Sequence, residues 1–88
     1  MANARGNLVD ALAQQLGVPS LSAGEAEAVL ALAAIAAHGT GDRTAAPLVS
    51  FLAGMRAAQS QDRMGVLDEV RRSVAELAPG EATPPAAS

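Results

Sequence analysis

The sequence predicts an all-α fold, a compact bundle of three or four short helices with a disordered C-terminal tail. Apolar residues recur at helical spacing through most of the chain. The alternation that marks strands is absent, and Phe51 is the only aromatic residue among 88. Capping and stop residues also divide the chain into helix-sized pieces. The expected organisation is a single helical domain over residues 1–78 and a tail over residues 79–88.

The first helix is expected from about Asn7 to Leu16. Asn7 is a favourable N-cap, and Leu8, Val9, Leu12 and Leu16 form an i, i+4, i+8 stripe. Gly17 suits the position after the helix end, and Pro19 prevents continuation. The second helix opens on Ser22-Ala-Gly-Glu25, a capping box in which serine and glutamate satisfy each other's orphan backbone donors. It is expected to run to His38 and stop at Gly39. Val29, Leu30, Leu32, Ala33, Ile35 and Ala36 surround its whole circumference, the pattern of a central helix buried on several sides.

A loop over Thr40–Arg43 leads to the third helix, with Thr44 as cap and Pro47 in the first turn, where a missing N–H costs little. Leu48, Phe51, Leu52 and Met55 carry the i, i+3, i+4, i+7 signature of one buried face. The fourth helix is expected from near Ser60, with Asp62 in its first turn favouring the positive end of the helix dipole. Its apolar stripe is Met64, Leu67, Val70, Val74 and Leu77, and Asp68 stands at i, i+4 to Arg72 in the favourable order. Beyond Ala78 the chain reads Pro-Gly-Glu-Ala-Thr-Pro-Pro-Ala-Ala-Ser, with little to bury.

Size and composition narrow the function classes. A chain this short buries only about 60–65% of its unfolded surface, so small domains often need a staple. With no cysteine there are no disulfides and no thiolate metal site, and a single histidine makes a zinc centre of the common kind unexpected. Well-packed helices, self-association or docking on a larger partner remain, a first indication of a binding role. The net charge is −3, and the six arginines are scattered and outnumbered by acids, which argues against nucleic acid as partner. The longest apolar run, Ala28–Ala37, spans ten residues where a membrane span needs about 20. The first residues lack the apolar stretch of a signal peptide, so a cytoplasmic protein is expected.

The densest polar cluster is His38-Gly39-Thr-Gly-Asp42-Arg43-Thr44. A histidine oriented by an acid could act as an acid–base pair. Architecture is the favoured reading: His38 complementing the helix dipole, Gly39 ending the helix, Asp42 and Thr44 supplying turn and cap. The paired glycines before a helix N-terminus also suggest an anion site with Arg43 beside it, but the spacing and lysine of a P-loop are missing. Glu25 and Glu27 stand two apart and cannot face each other across a helix turn, so a carboxylate dyad is not expected. Phe51, Met55 and Met64 could line an adaptable binding groove, as methionines do on promiscuous surfaces; core filling is the favoured role.

From Ala37 to Gly54 the chain resembles a small uncharacterised helical family of high-GC bacteria. The shared elements are Ala37-His38-Gly39, Ala45-Ala46-Pro47-Leu48 and Phe51-Leu52-Ala53-Gly54. That family occurs alone or fused to molybdenum cofactor guanylyltransferases. The resemblance implies a context in molybdopterin–guanine dinucleotide biosynthesis, and it adds weight to His38 and the segment from Arg43 to Pro47 within a candidate functional turn of His38, Gly39, Asp42, Arg43 and Pro47.

The leading expectation is therefore a non-catalytic interaction module, an accessory protein or small subunit docking on a larger enzyme, with no cofactor of its own. Two others stand beside it. One is a ligand-binding domain for a pterin or nucleotide phosphate that uses the turn from His38 to Pro47. The other is a self-associating structural protein.

Overall fold

The structure, a computed structural model, describes residues 4–78. They form four helices: α1 (Ala4–Leu16), α2 (Ala23–Thr40), α3 (Ala45–Ala58) and α4 (Arg63–Leu77). The described residues are 80% helical and contain no strand. The tail expected from residue 79 onward lies outside them.

Helix α2 packs against both α3 and α4, which also touch each other, so three helices enclose one core. At its centre is Leu32, fully buried, with Ala53 of α3 and Leu67 of α4; Val29, Val49 and Val70 pack around them. Among the described residues Leu32 is the only large side chain so completely enclosed, and four of their seven buried apolar residues are alanines. Small residues let helix backbones approach closely, but they also limit how much apolar area the core can remove from water. The central position expected of α2 is correct. It is buried on the sides toward α3 and α4, while Glu27, Leu30, Ala31, Ala34 and His38 form an exposed strip on the side away from Leu32.

The helix ends follow local chemistry, with three departures from expectation there and a fourth in the surface charge. Helix α1 extends back to Ala4, so Asn7 lies inside it rather than at its cap. Ala4 and Arg5 are good helix formers, and Gly6 between them and Asn7 costs only about 1 kcal/mol, too little to stop the helix. Its other end is a Schellman motif: Gly17, at φ 73°, donates to the Gln14 carbonyl, and the Val18 N–H donates to that of Ala13 at 3.0 Å.

The second departure is at the end of α2. Gly39 does not stop the helix, which continues to Thr40; Gly41 adopts the left-handed conformation (φ 72°) and donates to the Ala37 carbonyl at 2.9 Å. The Thr40 hydroxyl donates to the Ala36 carbonyl at 2.8 Å and completes the last turn. Gly39 serves packing instead. The end of α4 lies so close that a Cβ there would sit 2.9 Å from that of Ala78 and on top of the Ala78 carbonyl oxygen.

The third is the start of α4, which begins at Arg63 rather than near Ser60. Asp62 is the N-cap, its carboxylate accepting from the Gly65 N–H at 3.0 Å, while the Ser60 hydroxyl accepts from the Asp62 N–H. The fourth concerns surface charge. Among the described residues Asp68 and Arg72 form no ion pair, and Glu69 reaches Arg56 of α3 at 3.8 Å instead. Both of those side chains are about half-exposed, so the contact contributes little.

Candidate interaction surface

The face of α3 that its spacing marks as buried points outward. Phe51 is 70% exposed and Met55 51%, with Leu48 and Leu52 equally open beside them. The core instead receives Val49, Ala53 and Ala57, an i, i+4, i+8 stripe on the opposite side of the helix. Periodicity shows that a helix has an apolar face but does not choose between two. Size chooses here. Leu32 and Leu67 already fill the centre of the three-helix unit, and only small side chains on α3 fit against them. The sequence signal for this was present in the small-residue stripe opposite the large one.

Core filling for Phe51, Met55 and Met64 is thereby corrected. Met64 is 40% exposed, on the first turn of α4. The structure gathers Phe51 and Met55 on one helix face, while Met64 belongs to a different helix. Leu77, expected in the α4 core stripe, is also open to solvent; Leu67 and Val66 take the buried positions.

The turn between α2 and α3 is held together from within. Asp42 Oδ1 accepts from the Thr44 N–H at 2.9 Å and from the Thr44 hydroxyl at 2.7 Å. These two hydrogen bonds, the hydroxyl's first, hold the Asp42 carboxyl below the usual carboxylate range. The Ala45 and Ala46 amides donate to the carbonyls of Asp42 and Arg43 at 3.0 and 3.2 Å, and Pro47 has no N–H. Thr44 occupies the cap position, yet its side chain does not cap α3. The first amides of α3 are thus engaged by carbonyls of the loop, and the Thr44 amide by the Asp42 carboxylate.

His38 lies in the last turn of α2, as expected, with its side chain exposed. Among the described residues no hydrogen bond or ion pair joins His38 or Arg43 to Asp42, so the three are not assembled into an acid–base or anion-binding group. No cluster of three or more His, Asp or Glu side chains suited to a metal ion occurs among the described residues.

A buried polar node lies at the other end of the molecule. The capping box forms as expected: the Ser22 hydroxyl accepts from the Glu25 N–H at 3.1 Å, and Glu25 Oε1 accepts from the Ser22 N–H at 2.8 Å. Glu25 is only 6% exposed, and Arg63 of α4 grips both of its oxygens, Nη2 to Oε1 at 2.9 Å and Nε to Oε2 at 2.8 Å. Sequence reasoning found the cap but not this partner, which lies 38 residues away.

Helix α1 stands apart, with no Cα within 8 Å of another helix. A groove of about 370 Å³ separates its first half from the start of α2, lined by Arg5, Val9, Asp10, Ala26 and Glu27 among others. The Ser20 hydroxyl donates to the Asp10 carboxylate and ties α1 to the connecting segment. Among the described residues no helix is long and apolar enough to cross a membrane.

Comparison with known proteins gives one family: residues 3–86 match a family described as Domain of unknown function (DUF6457). No curated protein and no solved structure matches the chain.

Proposed function

This chain belongs to the DUF6457 family, and from that premise we propose that it is a non-catalytic helical interaction module that docks on a larger protein through the outer face of α3. The observation that carries this reading is the exposure of Leu48, Phe51, Leu52 and Met55 together on one helix face. Scattered exposed apolar residues are ordinary, but a contiguous patch built on an aromatic anchor is the composition of an interface core. A flexible methionine beside a phenylalanine suits a helix-against-helix or helix-in-groove contact. Among the described residues the candidate acid–base group of the turn is not assembled, since Asp42 is engaged by Thr44 and no hydrogen bond or ion pair joins it to His38 or Arg43.

The partner we propose is a larger cytoplasmic enzyme. Its kind follows from the resemblance over Ala37–Gly54, which points to the guanylyltransferases of molybdenum cofactor synthesis. Affinity capture from the native host, with wild-type protein and with Phe51→Glu and Met55→Glu variants, tests the proposal. The expected result is one stoichiometric partner with wild type that both variants lose. Capture of no stoichiometric protein, or capture that the variants leave unchanged, would overturn it.

A further inference from the structure

Helix α1 presents a second apolar face, independent of the one on α3. A helix of 13 residues is marginal in water by itself. Helix α1 also has no acidic residue in its first turn and no basic residue in its last, and among the described residues no other helix brings a Cα within 8 Å of it. Only Ala13 is buried, under the connecting segment. Leu8, Leu12 and Leu16 remain open, 66%, 48% and 64% exposed, with Val18 and Leu21 flanking them. An apolar groove of about 220 Å³, lined by Leu12, Leu16, Val18, Pro19 and Leu21, runs beside the stripe.

We propose that a second copy of this chain covers the face, through antiparallel pairing of the two α1 helices about a two-fold axis at Leu12. The stripe is symmetric about that residue, with a leucine four positions to either side. Antiparallel pairing therefore sets Leu12 against the second copy's Leu12 and each Leu8 against the other copy's Leu16. A two-fold contact requires this self-complementarity.

Charge supports the same arrangement. Helix α1 carries only Arg5 and Asp10, so it is net neutral in a chain of net charge −3, and Asp10 is hydrogen-bonded to Ser20 within its own chain. At 1.5 Å per residue, antiparallel pairing holds the two Arg5 about 20 Å apart along the axis, beyond the roughly 8–10 Å screening length. Parallel pairing would stack them. The five apolar side chains offer on the order of 500 Å² per copy, or about 1,000 Å² together, the least a specific interface needs. The dimer is accordingly weak and reversible, and it leaves α3 free for its own partner.

The chain has no cysteine, so Leu12→Cys introduces a single thiol at the axis. Mild oxidation of that variant should give a disulfide-linked dimer in high yield, while Phe51→Cys, on the other apolar face, stays monomeric. Sedimentation of the wild type between roughly 1 μM and 1 mM should show dimer dissociating on dilution, the range expected of so small an interface. Leu12→Glu should stay monomeric throughout and show the helical circular dichroism of wild type diluted to monomer, since the position is exposed in the single chain. A wild-type monomer at every concentration overturns the proposal. So does cross-linking of Leu12→Cys only when mixed with Phe51→Cys, which would place α1 on the neighbour's α3. These outcomes are read without the larger partner, so failure here is separate from failure of docking through α3.

Discussion

Arg63 holds both carboxylate oxygens of Glu25, and through that pair the start of α4 is fastened to the start of α2. Glu25 is almost wholly removed from water and also satisfies the Ser22 N–H, so three donors converge on one carboxylate. Breaking one side of such a pair leaves a buried charge, at a cost of about 3–5 kcal/mol when both partners are enclosed. Arg63 is about one-third exposed, so water can partly replace it, and Arg63→Ala should cost about 2–3 kcal/mol. Urea denaturation reads this directly. In the double-mutant cycle with Glu25→Ala, the two losses should add to more than the loss in the double variant. Strict additivity would mean that the pair is not coupled in solution.

Two helix-interior glycines should respond in opposite directions to alanine. Gly54 of α3 has nothing within 4 Å of where a Cβ would stand, so Gly54→Ala should stabilise the fold by about 0.5–1 kcal/mol through helix propensity. At Gly39 the same propensity gain meets the backbone of Ala78, whose carbonyl carbon lies 2.8 Å from the new Cβ. Overpacking of this kind costs about 1–3 kcal/mol, so Gly39→Ala should be net destabilising. Thermal unfolding of both variants side by side checks the contrast. Equal gains at the two sites would show that α4 does not end against Gly39.

These glycines also show where sequence reasoning succeeds and where it stops. The four helices, the Ser22–Glu25 box and the stop at Gly17 were legible because each rests on residues within four positions of one another. Gly39 and Gly41 are both suitable helix terminators; Gly41 takes that role, and the close approach that Gly39 serves instead comes from Ala78, far along the chain. The outward face of α3 was hidden for a similar reason. Its large stripe and its small stripe are both periodic, and only the volume left by Leu32 and Leu67 decides which turns inward. The pairing of Glu25 with Arg63 carries no local signal. In the polar turn the residue types were visible, but engagement of Asp42 by Thr44 rather than by His38 is a matter of geometry.

Acid should loosen the turn between α2 and α3 at a lower pH than an ordinary aspartate would suggest. The Thr44 hydroxyl and amide bond the ionised form of Asp42, so its folded pKa lies below the reference 3.8. With a folded pKa depressed below the unfolded one, its stabilising contribution is complete above the unfolded value and fades as pH falls through the folded one. A carboxyl-detected NMR titration should therefore find Asp42 titrating below 3.8, with the Thr44 amide shift following the same curve. In Thr44→Val, which removes the hydroxyl, the Asp42 midpoint should move back upward. An Asp42 midpoint at the ordinary value in wild type would mean that the Thr44 hydrogen bonds are not held in solution.

The apolar face of α3 gives the sharpest separation between stability and interaction. A buried phenylalanine costs about 3–5 kcal/mol when truncated, whereas an exposed side chain away from special contacts changes stability by about 0.5 kcal/mol or less. Phe51 is 70% exposed, so Phe51→Ser should leave the urea midpoint of the isolated domain nearly unchanged while reducing binding of an apolar fluorescent probe. Ala53, two residues on, faces the core at 1% exposure, and Ala53→Leu should destabilise by about 1–3 kcal/mol because Leu32 and Leu67 leave no space for it. The pair fixes the rotation of α3. If Phe51→Ser proves the costly change and Ala53→Leu the tolerated one, the large stripe faces inward in solution and docking through α3 loses its surface.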